Sequence, residues 1–152
     1  MPLVNTTRSY GSLAKIFHWT TALLIFALFP LGLIANDMAE ALRDPTLTAT
    51  EAQIARAIAL FSAHKTLGVA VFFVALLRIG WSLTQPRPGL LNADHRAEAT
   101  LAEAVHWLLY GSILLVPLSG WLHHAATTGY APIRWPFGQN LPFVSKDEGF
   151  AE

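Results

Sequence analysis

The fold is decided by residues 13–35, LAKIFHWTTALLIFALFPLGLIA, which carry a single charged side chain, Lys15. A helix crosses the hydrocarbon core of a bilayer in about 20 apolar residues. This stretch is therefore long enough to span a membrane. A secretory signal is the alternative, but its apolar core has about 7–15 residues and closes on a small-residue cleavage site. The stretch is longer than that and has no clean site of this kind.

Two further apolar stretches follow, Thr66–Leu77 and Val105–Leu122. Each reaches the length of a membrane span when its flanking residues are included. Pro86, Pro88 and Gly89 end the second helix. The sequence therefore predicts an all-α transmembrane helical bundle. It forms a single integral-membrane domain over residues 1–152, with helices at about 13–35, 57–83 and 101–123 and a polar tail at 124–152.

The composition supports a membrane protein and excludes several other classes. Hydrophobic residues make up 53% of the chain and charged residues 13%, against about 25% charged in soluble domains. The net charge of zero argues against a nucleic-acid partner, which requires a basic surface. Cysteine is absent, which excludes disulfides, thiolate metal sites and the C-x-x-C-H attachment of c-type haem.

Flanking charges predict the orientation. Arg8 and Lys15 lie before or at the start of the first helix, and no cation follows that helix until Arg43. Cations concentrate on the cytoplasmic side, and the first helix usually dominates, although the whole-chain count of cations is equal on the two sides. We therefore expect a cytoplasmic N-terminus and a multi-pass protein of the bacterial inner membrane.

Three histidines, His18, His64 and His106, lie inside or at the edge of the apolar stretches. An imidazole in hydrocarbon is costly and marks a functional site. Because there is no cysteine, the pattern favours b-type haem held between helices by histidine alone. Alternating helix directions would place His18 and His106 near the inner face and His64 near the outer face, about 15–20 Å apart. Such layers suit two haems that pass electrons across the bilayer.

Two cations are candidates for pairing with haem propionates, Arg78 and Lys65. Two axial histidines would close the iron to oxygen and favour one-electron transfer. The simpler alternatives remain open at this point. The histidines and Arg78 could be interfacial residues whose polar tips reach the headgroups.

Two other classes of function remain possible for a chain that binds no haem. In a metal-binding or transport protein, His64 with His123 or His124 would hold a divalent cation, although no histidine pair is spaced i, i+4. In a structural subunit, small residues such as Gly68 and Gly111 would only allow close helix packing. A purely structural role leaves the intramembrane histidines unexplained.

With these residues in view, the chain resembles the bacterial cytochrome b561 family. The matching motifs cover nearly the whole chain, and their order and spacing together are more specific than each alone. They are Lys15-Ile16-Phe17-His18-Trp19, His64-Lys65-Thr66-Leu67-Gly68, Leu77-Arg78, His106-Trp107-Leu108-Leu109-Tyr110, Pro117-Leu118-Ser119-Gly120-Trp121 and Trp135-Pro136-Phe137-Gly138.

The resemblance implies a four-helix membrane bundle that binds two b haems. It also implies electron exchange with quinone or quinol and with a periplasmic or membrane redox partner. At least one family member is thought to act as a superoxide:ubiquinone oxidoreductase, so the resemblance leaves open whether the chain is an enzyme. By resemblance, His18 is an axial ligand of the inner haem, His64 is one of the outer haem, and Arg78 contacts a propionate.

The resemblance also implies a fourth helix that brings the second axial histidines, and this sequence stops at Glu152 where that helix should begin. Three explanations are consistent with this. The sequence is a fragment, which we favour; a partner chain or second copy supplies the helix; or local histidines substitute. In the last case His106 would pair with His18, and His123 or His124 with His64.

Overall fold

The computed structural model describes residues 2–46, 48–89, 95–127, 131–136, 138 and 140–147. These residues form three helices and no strand: α1 (Ser12–Arg43), α2 (Glu51–Thr84) and α3 (Arg96–Ala126). All three are long and apolar enough to cross a membrane. The predicted all-α transmembrane fold is confirmed. Phe137 of the Trp-Pro-Phe-Gly motif and residues 148–152 of the tail lie outside the described residues.

Each helix extends beyond its apolar stretch. α1 continues past Ala35 to Arg43, and α3 begins at Arg96. The start of α2 is fixed by a capping box in which Thr50 accepts a hydrogen bond from the Gln53 N–H and the Gln53 side chain accepts one from the Thr50 N–H. Such reciprocal bonds satisfy backbone donors that have no partner within the helix. The polar helix ends thus add length outside the apolar core.

α2 is the central helix of the bundle. It packs against α1 on one side and α3 on the other, and within the described part of the chain α1 and α3 do not pack against each other. The buried positions on α2 are small side chains, including Ala57, Val69 and Ala75. Small residues let helices approach closely where lipid offers no hydrophobic driving force. Large apolar side chains point outward instead, as Phe26 does at 76% exposure.

The chain after α3 folds back onto α2. We call residues 131–136 the cap segment. The Ser62 hydroxyl donates to the Pro132 carbonyl at 2.5 Å, and the Thr66 hydroxyl accepts from the Arg134 N–H at 2.9 Å. Behind these bonds lies an apolar cluster of Val69, Phe73, Trp121, Ile133, Trp135 and Leu141. The cap segment therefore closes the α2–α3 groove at one end of the bundle, the cap end. The opposite end, where α1 begins, is the N-terminal end.

Candidate haem-binding site

A cavity of about 340 Å³ lies at the N-terminal end, and all three helices line it. α1 contributes His18, α2 contributes Arg78 and α3 contributes His106. The other lining residues are Asn5, Tyr10, Ala14, Lys15, Phe17, Trp19, Trp81, Ser82 and Tyr110. The structure thus brings together three of the site residues that the sequence singled out, in a cavity whose size is typical of ligand sites.

Arg78 joins the helices around this cavity. Its guanidinium lies 3.2 Å from Nδ1 of His18 and 5.2 Å from the centre of the Tyr110 ring. A guanidinium can only donate, so Nδ1 of His18 accepts and the proton of the neutral ring is on Nε2. The Trp19 ring meets the His18 ring edge-on at 5.7 Å. For Nε2 of His18 to bind a metal, Arg78 has to leave Nδ1, which would free it to pair with a carboxylate.

His106 is held in the opposite tautomer. Its Nδ1 lies 2.6 Å from the Ala102 carbonyl, one turn earlier on α3. Because a carbonyl can only accept, Nδ1 of His106 carries the proton and Nε2 keeps its lone pair. Metal-binding histidines almost always donate their other ring N–H in this way.

His64 shows the same arrangement on α2. Its Nδ1 lies 3.1 Å from the Leu28 carbonyl of α1, so Nδ1 donates and Nε2 has a free lone pair. His64 lies on the half of the bundle nearer the cap end, while His18 and His106 lie near the N-terminal end. The imidazoles therefore occupy two levels along the bundle, which agrees with the layering expected from the helix rise.

Lys65 contacts the end of α3 and the cap segment. Its ammonium lies 3.2 Å from Nδ1 of His124 and 3.4 Å from the Ala131 carbonyl. His64 thus faces α1 while Lys65 faces α3 and the cap segment. His124 is 3% exposed, and its buried Nε2 has no partner among the described residues. These contacts join neither Lys65 nor His124 to His64, and the propionate role of Lys65 stays a prediction.

Sequence reasoning missed two features of these sites. Tyr110 is one: it lies four residues after His106, so the helical repeat places both on one face of α3. That spacing was an available signal. The other is the contact of Lys65 with His124, for which local sequence carries no signal because the partners are far apart along the chain.

The donor set fits a b-type haem better than a bare metal ion. His64 and His106 each present an unprotonated Nε2, and Arg78 offers a cation beside His18 and several aromatic rings. These are the ligand and the propionate partner that haem requires. No group of three or more histidine, aspartate or glutamate side chains among the described residues could hold a metal ion.

Comparison with known proteins identifies the family of this chain. The profile of the prokaryotic cytochrome b561 family matches residues 9–151. Cytochrome b561 homolog 2 of Escherichia coli (strain K12) is 28% identical over 122 residues, which are 80% of this chain and 58% of that protein's length. No solved structure gives a significant match. The resemblance inferred from the sequence motifs is confirmed, and the chain belongs to the prokaryotic cytochrome b561 family.

Proposed function

We propose that this chain is a membrane-bound b-type cytochrome that transfers single electrons to or from the quinone pool. The observation that carries the proposal is the pair of imidazoles, His64 and His106, whose Nδ1–H groups are used by backbone carbonyls. An imidazole whose Nδ1–H is already donated to a carbonyl keeps the lone pair on Nε2 and is prepared to bind iron. Family membership supports the same cofactor.

Two haem sites are proposed, one at each level of the bundle. At the N-terminal end, His18 and His106 would ligate and Arg78 would pair with a propionate, since all three line one cavity. Towards the cap end, His64 would ligate. A haem with two imidazole ligands supplies a one-electron couple with no open position for oxygen.

The second ligand beside His64 is proposed to come from a further helix. The imidazole of His124 contacts Lys65 rather than His64, and the chain spans 58% of the length of its relative. The family resemblance implies a fourth helix that carries such histidines. It would come from the remainder of a longer protein or from a partner chain.

The quinone partner and the orientation belong to the same proposal. Quinones are dissolved in the lipid, and the proposal is supported by a cavity lined by three helices that are long and apolar enough to cross a membrane. The cations Arg8 and Lys15 favour a cytoplasmic N-terminus in a bacterial inner membrane. A periplasmic or membrane protein would then exchange electrons at the other end.

The test is a reduced-minus-oxidised spectrum of membranes from haem-replete cells that express residues 1–152. We expect b-type bands that weaken in His18→Ala and in His64→Ala, while His95→Ala, at the exposed start of α3, keeps them. A short-chain quinol should reduce the haem without dithionite. Membranes without a b-type signal would contradict the haem proposal. Haem that dithionite reduces and quinol does not would contradict the quinone proposal.

A further inference from the structure

Gly32 of α1 lies directly against the imidazole of His64. A Cβ atom added at Gly32 would stand 2.7 Å from Cε1, 3.0 Å from Nδ1 and 3.6 Å from Nε2 of that ring. The first distance is far inside van der Waals contact. The ring of His64 therefore occupies the space that any side chain at position 32 would need.

The Leu28 carbonyl, which accepts from His64, belongs to the same surface of α1. Leu28 and Gly32 are four residues apart, so they lie one above the other on one helix face. A helical carbonyl has two lone pairs, and the intrahelical bond uses one of them. The other accepts from Nδ1 of His64 at 3.1 Å. The Leu28 carbonyl thus binds Nδ1 of the ring, and Gly32 leaves room for the ring because it has no side chain.

The other glycines within the helices make no such contact. At Gly68, Gly80, Gly111 and Gly120, an added Cβ would have no neighbour within 4 Å. Glycine in the middle of a helix is destabilising relative to alanine, so a position that requires it is informative. Among the described helical glycines, Gly32 is the one where a side chain would strike another residue.

We infer that Gly32 is a positioning residue for His64: together with the Leu28 carbonyl it holds the ring with Nδ1 protonated and Nε2 free to bind. The role assigned to Gly32 rests on the proposed haem function, whereas the contact between Gly32 and His64 does not depend on it. An alanine at position 32 pushes the ring away from α1 and breaks the bond to Leu28. Nε2 is then no longer fixed in orientation or protonation.

The first experiment measures the tautomer without haem. The full chain, labelled with ¹⁵N-histidine in detergent micelles, is compared with Gly32→Ala and with Gly120→Ala as the matched control. His64→Gln assigns the signal. We expect a proton on Nδ1 of His64 in the wild type and the control, and a shift towards Nε2 in Gly32→Ala. An unchanged tautomer in Gly32→Ala, or a wild-type proton on Nε2, would overturn the inference.

The second experiment measures haem binding by the same chains. Loss of an outer partner of a metal-binding histidine lowers the affinity for the metal about 10- to 100-fold. We expect a decrease of this size in the affinity for the haem whose signal is lost in His64→Ala. Gly120→Ala should match the wild type. Equal affinity in Gly32→Ala and wild type would overturn the inference. If wild type binds no haem, the proposed function fails, while the tautomer result still decides the role of Gly32.

Discussion

The guanidinium of Arg78 lies 3.2 Å from Nδ1 of His18, so one side chain of the central helix reaches the first imidazole of the chain. The same guanidinium lies over the Tyr110 ring of α3 at 5.2 Å. α1 and α3 do not pack together in the described part of the chain. Arg78 thus bridges α1 and α3 across the cavity at the N-terminal end, where we propose that a haem binds.

Arg78→Gln should lower the midpoint potential of the haem at the N-terminal end. A cation nearby favours the reduced iron, which carries one positive charge fewer than the oxidised iron. Its loss is expected to cost on the order of 40 mV, which corresponds to about 1 kcal/mol for a one-electron couple. A redox titration of the haem bands measures it.

Arg78→Lys is the control for charge. It keeps the cation and loses the planar fork that binds a carboxylate through two hydrogen bonds. The potential should therefore stay closer to wild type than in Arg78→Gln. Equal potentials in Arg78→Gln and wild type would show that Arg78 does not lie near the iron.

His106→Ala tests whether the chain supplies its own second ligand to the haem at His18. The two histidines line one cavity, and Nδ1 of His106 is already used by the Ala102 carbonyl. Replacement should convert one low-spin haem to a high-spin form, seen by electron paramagnetic resonance. His95→Ala, at the exposed start of α3, should leave every signal in place. An unchanged bis-imidazole spectrum in His106→Ala would assign the second ligand to another helix.

The helices, and the level of His18, His64 and His106 along the bundle, could be predicted from the sequence. Both depend on the local sequence, through the length of an apolar stretch and the rise per residue of a helix. The apolar stretch of α1 sets a membrane span, and the rise per residue sets the depth of His18. The shared cavity of His18, Arg78 and His106 follows from alternating helix directions. The extension of α1 to Arg43 was not evident, because a helix does not have to end where its hydrophobicity ends.

The neighbours of adjacent residues could not be predicted in the same way. His64 and Lys65 are consecutive, yet they point about 100° apart around α2, as 3.6 residues per turn requires. One therefore meets Leu28 of α1 and the other His124 of α3. The cap segment was missed for a related reason: Ser62 and Pro132 are separated by most of two helices, and no local pattern indicates their contact.

Ser62→Ala should loosen the cap segment without disturbing α2. Ser62 is 1% exposed, and its hydroxyl donates to the Pro132 carbonyl at 2.5 Å. A hydrogen bond of this kind contributes about 1 kcal/mol, which equals a roughly fivefold change in the open population. Trypsin cleavage after the exposed Arg134 reports that population, since cleavage requires the local backbone to open.

Ser119→Ala provides the matched comparison for this assay. Its hydroxyl donates to the Val116 carbonyl of its own helix at 2.9 Å, so the replacement removes a bond without touching the cap segment. Cleavage after Arg134 should occur at the wild-type rate. If Ser62→Ala also cleaves at that rate, the bond to Pro132 does not hold the cap segment in place.

Trp121→Ala should destabilise the bundle far more than Trp107→Ala does. Trp121 is 7% exposed within the cluster beneath the cap segment, and its Nε1–H donates to the Gly138 carbonyl at 3.2 Å. Removal of a buried tryptophan costs about 3 kcal/mol or more through lost packing and the cavity left behind. Unfolding in mixed detergent micelles, followed by helicity, measures the change.

Trp121→Phe and Trp107→Ala separate the contributions to that loss. Phenylalanine keeps most of the packing and loses the hydrogen bond to Gly138, so its cost should be about 1 kcal/mol. Trp107 is 58% exposed and outside the cluster, so its replacement should change the unfolding free energy by about 0.5 kcal/mol or less. Equal losses for Trp121→Ala and Trp107→Ala would show that the cluster beneath the cap segment does not stabilise the fold, because burial would then make no difference.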